Sequence, residues 1–490
     1  MRTYGHWIAG AQVPAAAYIE RTCPGDGRRV ARFAAGDEAD ALRAIAAAAA
    51  SFAAQTWSGK PAMERCRILT RWAALIDEHA ELLAQIEAQE SGKPIRFARD
   101  EVRWAAEITR FAASLAYGLH GDALTDLGPG ALGLVTREPV GVAGMIVPWN
   151  FPMVCLFQKL PFALAAGCSA VVKPSELTSG TALEVAKLAQ AAGVPAGVIN
   201  VVTGLGEVVG EALLKDKRVR LVSFTGSTRV GQHIGAVVGA RLGRVALELG
   251  GKAANIVFAD ADLEAALDGV LFGAILNQGE ECAAGARLLI ERTVAKDFVA
   301  ALVARARRVR VRHPLDAEGD IGALIHAAHM ARVLEHIEDA RASGAHVVAG
   351  GHRLTDGAYA DGFYLEPTII CEVTQDMRIF HEEVFGPVLT VTSFDTPDEA
   401  VNLANAVEYG LANGLWTKDV DRLHLVARRL QSGTIYANTF LETSPQLPFG
   451  GYKNSGLGRE MGLRALDEFM EFKSTFIRLG ARVPALPHTC

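Results

Sequence analysis

This 490-residue sequence has no CxxC pair: its seven cysteines, Cys23, Cys66, Cys155, Cys168, Cys282, Cys371 and Cys490, are odd in number and widely scattered. That excludes a disulfide framework and a zinc ribbon, and free thiols are the expectation. Long apolar runs are missing as well. The most apolar early segment, Ala44 to Ala54, is alanine-rich and far short of the roughly 20 residues a membrane helix needs. The opening MRTYGHWIAG lacks the charged-then-apolar pattern of a signal peptide, so a soluble, cytoplasmic protein with no membrane partner is expected. Charge of one sign is not in excess either, with 49 basic against 55 acidic residues, a formal net charge of −6. No basic run is long enough to track a phosphate backbone, which excludes nucleic acid as a partner. Internal repeats and low-complexity linkers are absent.

What is present is apolar mass: half the residues are hydrophobic. A chain this long needs more than one core, because single cores stop growing at about 250 to 300 residues. The first hundred or so residues read as helices, in DEADALRAIAAAAASFAAQTW, in AMERCRILTRWAALIDEHAELLAQIEAQESGK, and from Glu101 to Leu115. From Leu132 the texture changes to short apolar runs closed by turn formers, LGLVTREPVGVAGMIVPWN, CSAVVKPS, GVINVVTG and RLVSFTGS, bridged by helical stretches such as SGTALEVAKLAQAAG. Alternating strand and helix predicts a parallel sheet covered on both faces. After Gly251 the pattern returns with AANIVFA, ARLLIE, a helix in VAKDFVAALVARARRV, then GPVLTVTSF, EYGLANGLWT and SGTIYANTF. The expectation is an α/β protein of two units with a boundary near the LGGK turn. DLGPGALGLVTREPVG reads as a hairpin and EFMEFKSTFIRL as an exposed strand, edges of the kind that pair with another subunit.

Several motifs carry chemistry. In LNQGEECAAGAR, Cys282 follows Glu280 and Glu281 and precedes small residues. Small residues suit a helix start, whose free N–H groups favour a thiolate; the alternative is a buried, inert cysteine. Glu248 in LELGGK ends an apolar run beside glycines that permit close approach of a ligand, and an apolar setting raises a carboxylate toward general-base range. Asn150 in IVPWNFP is an amide flanked by prolines, suited to an oxyanion hole or to capping the next helix. VVKPSE and SFTGSTRVG each link a strand to a helix, where open α/β sheets bind nucleotides. Lys173 and Glu176 are ribose ligands by this reading, and Ser227 with the backbone of the GST turn faces a pyrophosphate. TGLGEVVG misses the GxGxxG spacing by one residue and reads as a plain turn. His326 and His329 share a helical face without further ligands, so a solvated face is expected and no metal.

Together PWNFP, KPSE, FTGSTRVG, LELGGK, NQGEEC, EEVFGPV and PFGGYKNSGLGRE resemble the NAD(P)-dependent aldehyde dehydrogenase superfamily, in order and spacing, from about Tyr4 to Leu479. The resemblance implies two Rossmann-like α/β domains, a cofactor-binding one at 1–120 and 139–250 and a catalytic one at 251–449, with β oligomerisation strands at 121–138 and 466–482. It implies a homodimer or homotetramer. By resemblance Cys282 is the nucleophile, Glu248 the base, and Asn150 with the Cys282 amide the oxyanion hole, while Lys159 and Glu460 support the site. Trp149, Lys173, Glu176, Gly226, Ser227, Glu383 and Phe385 correspond to cofactor positions, and Cys155, Gln158, Glu281, Glu442 and Phe449 to the substrate tunnel.

The implied reaction oxidises an aldehyde through a cysteine thiohemiacetal and thioester, with hydride passing to the nicotinamide. The CoA-acylating branch typically lacks the glutamate, so Glu248 points to hydrolysis. Glu176 favours NAD over NADP, because a carboxylate at the ribose repels a 2′-phosphate. Here the sequence departs from common patterns: Glu281 stands where the residue is usually small or apolar, and Gln158 where tryptophan is frequent. If Glu281 and Glu442 face the tunnel, a cationic aminoaldehyde or betaine aldehyde is favoured; the alternative is a broad-specificity enzyme for aliphatic and aromatic aldehydes using NAD or NADP.

Overall fold

Parallel strands covered on both faces read as continuous apolar runs, and VAGMI of Val142–Ile146 and SAVVK of Ser169–Lys173 are buried at every residue. The computed structural model describes residues 1–480, so Cys490 and the last two residues of the expected 466–482 strand lie outside the described residues. The first large sheet has eight strands in the order Gly456–Leu457, Arg244–Glu248, Val219–Thr225, Val142–Ile146, Ser169–Lys173, Ile199–Val201, His6–Ile8 and Ala11–Val13. Its five central strands are parallel. In chain order they run 5-4-1-2-3 across the sheet, the doubly wound arrangement whose direction reverses between Val142–Ile146 and Val219–Thr225. The crevice at that reversal is where such sheets take ligands.

The second large sheet has seven strands, in the order His346–Ala349, Thr368–Cys371, Val388–Phe394, Arg287–Glu291, Ala254–Val257, Ala412–Trp416 and Thr434–Ala437, all parallel except the first. The chain leaves the first sheet at the carboxyl end of Arg244–Glu248, turns through Gly250 and Gly251, and enters the second at the amino end of Ala254–Val257. The two sheets therefore meet with opposite ends facing one cleft. Phe449 lies at the seam, packed against apolar cores of both.

Helices cover the faces. Glu38–Ala53 starts at a capping box in which Asp37 and Asp40 each accept from the other's backbone N–H. Ala62–Glu78 and Ile95–Tyr117 pack on one another, and Leu69, Trp72, Val102 and Ala106 join the same buried core. The early segment is not purely helical, however. Arg2–Tyr4, Tyr18–Thr22 and Arg29–Ala34 form a small sheet, and His6–Ile8 and Ala11–Val13 form a hairpin turning at Ala9 and Gly10, both at positive φ. Strands this short carry no readable period. The second expected helix also breaks, at His79, into Ala62–Glu78 and Ala80–Ser91, and the third begins at Ile95, ahead of Glu101.

A three-stranded antiparallel sheet stands apart from these cores, with Ala131–Pro139 between Asp122–Leu124 and Met470–Arg478. It exposes Leu124, Phe472 and Phe476. The cysteines among the described residues are all unpaired, and no helix among them is long and apolar enough to cross a membrane.

Candidate active site

At the reversal of the first sheet, one loop leaves Val142–Ile146 with Trp149 and Asn150, and the next leaves Val219–Thr225 with Gly226 and Ser227. Ser227 is the N-cap of the 13-residue helix Thr228–Ala240 and makes no side-chain cap bond, so the helix opens onto the crevice with free N–H donors. From the second sheet come Glu383 and Phe385, just ahead of Val388–Phe394, and Cys282, just ahead of Arg287–Glu291. Seven of the expected residues, Trp149, Asn150, Gly226, Ser227, Cys282, Glu383 and Phe385, line one cavity of about 340 Å³, within the size range of small-molecule sites.

Cys282 does not open a helix. Leu263–Ile275 ends before it, a 3₁₀ turn over Leu276–Gly279 follows with Asn277 and Gln278 at φ 51° and 57°, and the chain then runs into a strand. With no helix dipole behind the sulfur, burial and then Glu281 push the thiol well above its ordinary value, and Cys155, Glu383 and Glu248 act the same way. The loop is clamped: Asn150 Nδ2 donates to the Glu280 carbonyl at 2.9 Å, and Asn277 Nδ2 donates to that carbonyl at 3.1 Å and to the Asn150 carbonyl at 3.0 Å. Asn150 caps nothing, since Phe151 occupies the N-cap of Pro152–Phe157. The Glu280 carboxylate, fully buried, accepts from the Ile325 N–H and from Gln278 Nε2 and does not reach the cavity.

Glu248 closes its strand at the cavity's back and does not line the cavity. Its carboxylate lies against Gly450, where a Cβ would come within 2.7 Å of Oε1 and where φ is +153°, so glycine is required twice over. Oε2 is buried without a partner. Burial, then the neighbouring Glu460, holds Glu248 well above the usual carboxylate range. Behind it the fully buried Lys159 ammonium donates to Glu460 and, at 2.6 Å, to Thr225 Oγ1. The expected support pair is thus joined directly, and Glu460 is bridged to Phe449 by two backbone bonds of 2.7 and 2.8 Å.

Lys173 and Glu176 follow the neighbouring strand and lie 3.5 Å apart as an ion pair, with Lys173 Nζ also donating to the carbonyls of Pro174 and Gly204. TGLGEVVG is not a plain turn, because Gly206–Gly210 forms a π-helical turn running into the helix Glu211–Lys215. Glu383 Oε1 accepts from the Gly251 N–H at 2.9 Å, and a Cβ on Gly250 would come within 2.5 Å of its Oε2. Burial raises this carboxyl to about 7. Phe385, at φ +58°, stands edge-on to Trp149 at 5.4 Å.

Of the expected tunnel residues, Glu281 folds its carboxylate back onto Cys282 Sγ at 3.5 Å and the Ala283 N–H at 3.1 Å. Cys155 is buried on Pro152–Phe157 and Gln158 is the half-buried C-cap of that helix. Glu442 is exposed on a different cleft, beside Asp268 and Phe272, and does not share the Cys282 cavity.

The expected solvated histidine face is overturned at one residue. His326 caps Ala327–Ala342, but His329 is buried, its ring 5.5 Å from Trp149 and its Nε2 2.7 Å from the Phe385 carbonyl. Burial lowers its pKa to about 4, so it is a neutral wall of the cavity. Arg332, one turn on, lines the same cavity. Neither residue carries a motif of its own; their spacing from His326 on one helix face was the available signal. Among the described residues one trio, Cys23, Asp26 and His313, brings ligand atoms within 4.8 Å of one another. There Arg28 and His313 already bond the Asp26 carboxylate.

The donor set suits a dinucleotide: a free helix N-terminus at the sheet reversal, a Lys/Glu pair after the adjacent strand, and a carboxylate beside aromatic rings. Comparison with known proteins agrees. A model of the aldehyde dehydrogenase family matches residues 7–475. Betaine aldehyde dehydrogenase of Bacillus subtilis is 40% identical over 472 residues, 96% of each chain. The solved NAD-dependent aldehyde dehydrogenase of Sinorhizobium meliloti superposes with a TM-score of 0.97 at 42% identity, over 99% of this chain and 96% of that one. Betaine aldehyde dehydrogenase of Staphylococcus aureus, solved in complex with NAD+, gives a TM-score of 0.97 at 35% identity, over 99% and 97% of the two chains. With two Rossmann-like sheets, a cysteine in the cleft between them and a family match over nearly its whole length, the chain belongs to the aldehyde dehydrogenase family.

Proposed function

We propose that this enzyme oxidises a cationic aldehyde to its carboxylic acid with NAD, using Cys282 as nucleophile. The observation that carries the reading is that Cys282 lines the same cavity as the sheet-reversal loops and Glu383. Cys282 Sγ adds to the aldehyde carbon. One Asn150 Nδ2 hydrogen is held by the Glu280 carbonyl, which fixes the amide so that its second hydrogen, with the Cys282 backbone N–H, meets the oxyanion. NAD supplies the hydride acceptor when it binds. Lys173 and Glu176 would hold its adenosine ribose, the helix N-terminus at Ser227 its pyrophosphate, and Glu383 its second ribose, in a cavity that Trp149, Phe385 and His329 also line. The Glu176 carboxylate disfavours a 2′-phosphate, so NAD is preferred to NADP. Glu248 then swings from Gly450 toward the sulfur and takes a proton from the water that cleaves the thioester, with the Lys159 and Glu460 pair behind it.

Glu281, a carboxylate in contact with the nucleophile, supports a cationic substrate, and so does the betaine aldehyde dehydrogenase relative. Glu442, exposed in a separate cleft, adds no observation to this reading. Paired kinetics test this: kcat/KM for betaine aldehyde exceeds that for a neutral aldehyde of equal size, whereas equal values or a preference for the neutral one end the substrate reading.

In this reading residues 1–120 and 139–250 bind cofactor, 251–449 carry the nucleophile, and the sheet of 121–138 with 466–480 assembles a homodimer or homotetramer through its exposed Leu124, Phe472 and Phe476. The unpaired cysteines suit the reducing cytoplasm.

A further inference from the structure

Three carboxylates bear on Cys282, those of Glu281, Glu383 and Glu248, and only Glu281 hydrogen-bonds the sulfur. Glu248 faces Glu460, Lys159, Arg459 and Glu468 and lies against Gly450. Glu281 Oε1, by contrast, accepts the Cys282 thiol hydrogen at 3.5 Å, and the Ala283 N–H at 3.1 Å pins that same oxygen in place. Glu281 is not among the residues lining the cofactor cavity, so it meets the sulfur from the other side, where both residues bear on the buried Tyr436. Lys93 and Glu101 act on Glu281; Cys155, Glu383 and Glu248 act on Cys282. Burial lifts the Glu281 carboxyl above its usual value, toward that of a thiol and in the direction that makes it a better proton acceptor.

We propose that Glu281 is a catalytic base dedicated to the Cys282 thiol, leaving Glu248 to water. As sulfur attacks, the S–H bond breaks and an O–H bond forms on Glu281; the sulfur lone pair becomes the C–S bond and the carbonyl π pair moves to oxygen. When water cleaves the thioester, Glu248 takes one of the water's protons and releases it to solvent, the departing thiolate recovers its hydrogen from Glu281, and both carboxylates are reset. The proposal rests on Cys282 being the nucleophile and is independent of whether the aldehyde is cationic.

A fixed negative charge and a proton acceptor predict opposite signs, which makes the assignment testable. As a mere charge, Glu281 opposes ionisation of the thiol, so neutralising it speeds reaction at sulfur; as a base, its loss slows it. The experiment compares wild type, Glu281→Gln and Glu281→Asp. Glutamine keeps an acceptor for the Ala283 N–H, and thermal melting checks that each variant is folded. The rate of Cys282 alkylation by iodoacetamide is followed against pH, with the modified residue located by peptide mass mapping. Steady-state kinetics are run with neutral and with trimethylammonium aldehydes. The base role predicts slower alkylation of Glu281→Gln at neutral pH, a kcat lower by about a hundredfold or more for both aldehyde types, and substantial recovery in Glu281→Asp. Alkylation of Glu281→Gln as fast as wild type, or faster, overturns the proposal. A change confined to KM for the cationic aldehydes also overturns it while leaving the substrate reading intact.

Discussion

Glu248 and Glu383 are both carboxylates at strand ends, and their surroundings separate their tasks. Glu248 is buried beside a second carboxylate, Glu460, with an oxygen that bonds to nothing. A buried group with a spare lone pair and a glycine-lined space is poised to turn, and Glu248→Gln therefore blocks deacylation while acylation proceeds. The expected outcome in rapid-mixing absorbance is a burst of about one NADH per active site followed by turnover slowed about 10²- to 10⁴-fold; loss of the burst itself would assign Glu248 to the earlier step. Glu383 is anchored by the Gly251 N–H and its carboxyl is raised to about 7. In the proposed role its ionised form would accept ribose hydroxyls and its protonated form would do so less well. Lowering the pH through 7 therefore raises KM for NAD, a dependence that Glu383→Gln abolishes while holding KM high throughout. If Glu176 sets cofactor choice as proposed, Glu176→Gln raises the ratio of NADP to NAD kcat/KM; an unchanged ratio assigns cofactor choice elsewhere. At this scale residue type and neighbours singled out Cys282 and Asn150, which line one cavity, whereas Glu383 in the same cavity came from the family resemblance alone. The sequence misled where fold alone decides direction. Nothing near His326 and His329 announces that the second ring will be buried 5.5 Å from Trp149.

Among the elements, the short helix Pro152–Phe157 matters most because it begins two residues after Asn150. Its first N–H groups are accepted by side chains from afar: Glu87 Oε1 bonds Met153 N at 3.2 Å and Glu101 Oε1 bonds Val154 N at 3.1 Å. Lys93, fully buried, bridges the two carboxylates and lies over the Phe151 ring at 4.3 Å. Lys93→Met leaves two buried carboxylates facing each other, and a lower melting temperature is expected, equivalent to about 3–5 kcal/mol. A stability unchanged by that substitution would remove the trio as the anchor of the oxyanion loop. Periodicity showed the helices that carry Glu87 and Glu101 but not their convergence, which is tertiary. The parallel strands were legible because VAGMI, SAVVK and RLVSFT are apolar runs closed by turn formers. The three-residue strands before Gly36 were not, since a hairpin of HWI and AQV has too few positions for alternation to register.

For the whole molecule, the decisive geometry is the meeting of two sheets at opposite ends. The first presents the carboxyl ends of its strands and the second the amino ends, and the Gly250–Gly251 turn between them sets Glu248 behind the cleft that Cys282 enters. The third sheet exposes Phe472 and Phe476 on a strand paired through its full length to Ala131–Pro139. Replacing both with serine shifts the solution mass toward monomer in light scattering if this face joins subunits. The alternating helices and strands implied two α/β units; which strand ends would face each other was beyond any local pattern, because it depends on how two sheets pack. The account as a whole depends on the sulfur in that cleft. NADH formation at 340 nm with betaine aldehyde and NAD, followed for wild type and for Cys282→Ser at equal folded concentration, tests it most directly. The account predicts steady NADH production by the wild type and essentially none by the serine variant; comparable rates from the two would contradict it.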